Sequence, residues 1–194
     1  MRIGSILGTI GSASLSSDVS RFLAHPVNRH GINPTPECPL FSEFVPDFAA
    51  LEHVVLPSAY TVLFIAADAR GVHTDTIVRI AERLLASGLI YVCVWGPDCE
   101  RVHDIFDEVH VGDGSTEPSF TLMSTWHTEE PLEEAIWFFI DSAFPLDTEI
   151  EATSYLAVTV GSADWAATVD RALSDLPSFK TPMLDDEVES TGNG

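Results

Sequence analysis

Apolar positions fall along this chain in two alternating patterns. "YTVLFIAAD", from Tyr60, is a continuous run rich in branched residues, as in a parallel strand covered on both faces. "HTDTIVRIAERLLASG" then spaces Ile77, Ile80, Ala81, Leu84 and Leu85 for one helical face, with Gly88 as its stop. "LIYVCVWG" predicts a second buried strand and "DCERVHDIFDEV" a second helix, striped by Val102, Ile105, Phe106 and Val109. "SFTLMSTW" predicts a third strand, and "VHV" before it a short additional one. The helix "EEPLEEAIWFFIDSAF" follows, with Pro131 suited to its first turn and acids at the positive end of its dipole. "SYLAVTVG" gives a fourth strand, and "SADWAATVDRALSDL" a last helix that Ser162 can cap.

Strand and helix alternating four times predict an α/β fold: a single doubly wound, mostly parallel sheet of about four to five strands, Rossmann-like or flavodoxin-like. This domain is expected over 56–177. Residues 1–55 show no sustained period and include "HPVNRHGINPTPECP", whose prolines and glycine break regular structure. They read as an irregular arm packed on the domain, with one short helix near 17–24. Residues 178–194 read as an acidic, disordered tail.

Charge changes the picture more than length or composition. The chain of 194 residues, 45% apolar, can bury a core without metals or disulfides as staples. It carries 9 basic against 30 acidic residues, a net charge of −21. From Val102 to Asp170 there is no Lys or Arg, against 15 Asp and Glu. Phosphate-driven nucleic-acid binding is thereby excluded, and a cation, a basic protein partner or mere solubility is favoured. The longest apolar runs fall short of the roughly 20 residues a membrane span needs. Three cysteines cannot all pair, and the N-terminal glycines and serines interrupt any signal-peptide centre. A reduced, cytoplasmic setting is therefore expected. Nothing in the sequence calls for a cofactor: neither Gly-rich phosphate-binding pattern occurs in any predicted loop.

"YVCVWGPDCERVHDIFDEVHV" concentrates thiols, imidazoles and acids. Cys93 lies mid-strand, where a small apolar residue packs well. Cys99 starts the next helix, where the dipole lowers a thiol pKa, and His103 stands one turn on. The two could form an activated pair, although both also border the apolar stripe. The Cys and His spacing matches no common zinc pattern.

In open α/β sheets ligands bind outside the carboxyl ends of the strands. There the predicted loops place Asp68 and Arg70, Asp98, Ser124, Thr125 and His127, and Ser162. As ligand contacts these would suit a small molecule, with His127 the natural general base of an enzyme because it titrates near neutrality. Asp68, Cys99 and His103 complete the catalytic candidates. More plainly, Asp98 and Ser162 are helix caps and Arg70 pairs with Asp68. His127, Glu130 and Glu134 form the weak metal alternative, better suited to Mn, Fe or Mg than to zinc.

The helix around 132–143 is apolar nearly all round: Trp137 and Phe138 lie off its main stripe, beside Glu134 and Asp141. Such a face is buried on two sides or meets another protein, either a basic partner or a second copy. None of the catalytic patterns closes into a mutually supporting set. The sequence therefore favours a non-catalytic binding or protein-interaction role, the alternative being an enzyme acting on a small molecule at the carboxyl edge.

Overall fold

The computed structural model describes residues 27–34, 36–115, 120–145 and 150–179. The chain forms one six-stranded sheet with strands β1 (Asn28–Pro34), β2 (Glu37–Val45), β3 (Thr61–Ala66), β4 (Leu89–Trp95), β5 (Met123–His127) and β6 (Ser154–Val160). Their order across the sheet is β1-β2-β6-β3-β4-β5, and only the β1/β2 pair is antiparallel. Helices α1 (Thr74–Ala86), α2 (Cys99–Val111), α3 (Leu132–Asp141) and α4 (Ala163–Ser174) cover both faces, the doubly wound arrangement that the alternation predicts.

Two cores result, one on each side of the sheet. On one side Leu63, Ile65, Val92, Val94, Leu156 and Val158 meet α1, α2 and the 3-10 helix Phe48–His53. On the other, Val62, Phe64, Cys93, Tyr155 and Ala157 meet α3 and α4. Every residue of β3 and of β6 is buried. That is why these segments read as unbroken apolar runs and not as alternating ones.

The structure corrects two expectations. Residues 28–53 are no irregular arm, since they supply β1, β2 and a 3-10 helix, and β2 pairs along β6 inside the sheet. "VHV" is no strand: Val109–Val111 form the last turn of α2, which stops at Gly112 with a positive φ of 62°. The helix near 17–24 and residues 180–194 lie outside the described residues. Among the described residues no helix is long and apolar enough to cross a membrane.

Candidate functional site

At the carboxyl edge, the loops after β3 and β4 are laced together. The Ala67 amide donates to Trp95 O at 3.0 Å, and the Ala69 amide to Pro97 O at 2.9 Å. Gly96, at φ +111°, permits this approach, because a Cβ there would lie 2.4 Å from Ala67 O. The charged groups are spent on one another. Arg70 grips Asp68 with two bonds (Nε to Oδ1 2.9 Å), and this contact holds the Asp68 carboxyl below its usual value. Asp98, at the N-cap position of α2 with φ +66°, makes no capping bond. It accepts from Arg101 at 2.8 Å, and Arg101 also donates to Ala69 O. Ser162 does cap α4, accepting from the Trp165 amide at 3.3 Å.

The remaining edge candidates diverge, because alternate residues of a strand point to opposite faces. Ser124 turns to the α2 side and donates to Asp107 Oδ1 at 2.6 Å. Thr125 turns to the other side, opposite Cys93 in register. His127 shares that second side, 7% exposed and packed on Phe138 at 4.8 Å. Burial pulls the His127 pKa down against the opposing pull of Glu130, whose Oε1 lies 3.7 Å from Nδ1. Its Nε2 is buried with no hydrogen-bond partner. Asp68, Arg70, Asp98, Ser124 and His127 therefore do not converge as a set.

The Cys99–His103 pair does not form. Cys99 is fully buried and burial pushes its thiol up, the reverse of activation. His103 instead turns both ring nitrogens to carboxylates, Nδ1 to Asp104 at 3.0 Å and Nε2 to Asp107 at 3.5 Å. The metal alternative also fails to assemble: His127 meets Glu130, and among the described residues no cluster of three metal-ligating side chains contains Glu134 or any other acid.

The α3 face is less open than its composition suggests. Trp137 and Phe138 are half-buried, Phe138 lies against His127, and Trp137 Nε1 is enclosed without a partner. Glu134 and Asp141 are exposed beside them. The exposed tryptophan is a different one. Trp126, on the edge strand β5, is 43% exposed and lies 4.4 Å from the His103 ring. That imidazole in turn meets Asp104 and Asp107, and Asp107 also accepts from the Ser124 hydroxyl.

This flank of α2 and β5 is an aromatic plate rimmed by carboxylates. It can accept hydrogen bonds from a cation and stack on its flat parts. The only signal for it in the sequence is the two-residue period that puts Ser124 and Trp126 on one side of β5.

A family model described as a domain of unknown function, DUF7684, matches residues 42–176, well over half of the chain. The match begins within β2 and takes in β3 to β6 and all four helices. Among curated proteins none matches the chain.

Proposed function

We propose a non-catalytic binding role for this chain, which belongs to the family of the domain of unknown function DUF7684. Its α2–β5 flank receives a basic segment of another protein. The observation that carries this reading is Trp126, 43% exposed, in tilted contact (4.4 Å between ring centres, planes at 54°) with an imidazole held between Asp104 and Asp107. The surroundings agree in sign, for no Lys or Arg occurs between Val102 and Asp170. An exposed aromatic flanked by acids favours arginine and lysine side chains over neutral ones. Against catalysis stands the mutual pairing of the charged groups at the carboxyl edge.

Fluorescence anisotropy with a labelled acetyl-(Arg-Val)4-amide peptide tests the reading, with (Glu-Val)4 as control. The basic peptide binds and the acidic one does not. Trp126→Ala weakens binding about tenfold or more, the loss expected of a central aromatic anchor. Trp137→Ala changes binding little. No binding of the basic peptide, or equal binding by the Trp126→Ala chain, overturns the reading.

One observation favours the enzyme alternative: the buried, unpartnered Nε2 of His127 at the carboxyl edge. Under that reading His127→Ala would abolish turnover of a small molecule and leave peptide binding intact.

A further inference from the structure

The sheet has two edges, and they are protected differently. A strand edge presents unpaired amides and carbonyls that invite another strand, and proteins blunt such edges with bulges, prolines or charge. β1 carries a register shift between Arg29 and Gly31, and Pro34 ends it. β5, "MSTWH", has neither a bulge nor a proline and pairs with β4 in unbroken register.

The direction of the β5 backbone follows from its contacts. The His127 carbonyl accepts from the Gly96 amide, across β4, at 3.5 Å. The peptide groups of alternate residues turn to opposite edges of a strand, so those of Ser124 and Trp126 face away from β4. Leu122, of the same parity, has its amide closed off by His110 Nε2 at 3.0 Å. Among the described residues, two residues of open edge remain, beside the Trp126 plate and the Asp107 carboxylate that Ser124 reaches, with Asp104 on the other ring nitrogen of His103.

We infer that β5 is a strand-addition site: a basic, extended segment of a partner pairs with the Ser124 and Trp126 backbone while its alternate cationic side chains meet Trp126, Asp104 and Asp107. This rests on the basic-partner reading and specifies its mode. Main-chain bonds supply affinity and the side-chain row supplies selectivity, as in other strand additions. Charge decides the occupant. A second copy would bring another −21 to the same edge, and like charges at that density repel. A cationic strand is attracted by the same field.

Amide exchange of the full chain with bound acetyl-(Arg-Val)4-amide tests the inference, alongside the affinity of acetyl-(Arg-Pro)4-amide. The second peptide keeps the charge but lacks half of its amide donors. Ser124 and Trp126 amides slow at least tenfold on binding (Arg-Val)4, and (Arg-Pro)4 binds at least tenfold more weakly. Binding without slowing, with the two basic peptides equal, overturns strand addition and leaves the basic-partner reading standing. No binding by either removes both. The inference also falls if those amides are already protected in the peptide-free chain, or if sedimentation shows a dimer that Trp126→Ala dissolves. The edge is then filled by the chain itself or by a second copy.

Discussion

Glu43 shows how far a single side chain can escape a reading by pattern. It lies on the interior strand β2, opposite Val158, only 4% exposed, with Oε2 lacking any partner. Burial pushes its pKa up to about 7, and the nearby Arg83 guanidinium opposes that shift. Arg83 is itself committed to Leu51 O and Val54 O, at the end of the 3-10 helix. Because the folded pKa lies above the unfolded one, the folded state holds the extra proton between the two values. This contribution to stability is complete below the ordinary glutamate pKa and is lost as pH rises through about 7. The loss is on the order of 3 kcal/mol. Urea unfolding from pH 5 to 8.5 should show declining stability, and Glu43→Gln should flatten that decline. An unchanged slope in the Gln variant would assign the pH dependence elsewhere.

Single elements were legible where one pattern dominated. The apolar runs of β3, β4 and β6 and the helical stripes of α1, α2 and α4 are local signals, and each became the element it predicts. β1 and β2 were not legible, because Pro34, Pro36 and Pro39 interrupt them and their partners lie far along the chain. What fixes β1 is a side-chain clasp. His30 Nε2 lies 2.7 Å from Ser42 Oγ, and Ser42 donates to Asp170 of α4 at 2.5 Å. His30 Nδ1 lies 3.1 Å from Ser174 Oγ, at the other end of the same helix turn. The clasp ties the edge strand to α4 through three hydrogen bonds among four polar groups, each bond worth about 1 kcal/mol net. His30→Ala should raise amide exchange in Arg29–Asn33 about tenfold while β3 and β6 amides stay protected. Equal loosening of the central strands would show that the clasp supports the whole sheet and not its edge.

At the scale of the whole molecule, the place of β5 decides what the candidate site is. Strand β6 returns to pair between β2 and β3, and this leaves β5 at the rim with Trp126 in the open. No local pattern encodes that return. The sequence therefore pointed to Trp137, on a helix apolar all round, and passed over the tryptophan that the sheet order exposes. Net charge needed no topology to be read. A chain of −21 repels itself in the folded state, and the repulsion is long-ranged at low salt, where the screening length is about 30 Å at 0.01 M against roughly 10 Å at 0.1 M. Raising sodium chloride from 0.01 to 0.3 M should therefore raise the thermal midpoint by several degrees, while the same change weakens acetyl-(Arg-Val)4-amide binding about tenfold or more. The two trends have opposite signs from one cause, since salt screens repulsion within the chain and attraction to the partner alike. Calorimetry and anisotropy over one salt series would separate them. If the midpoint rises but peptide affinity stays flat, the acids near Trp126 do not steer the partner, and only the aromatic contact remains to explain binding.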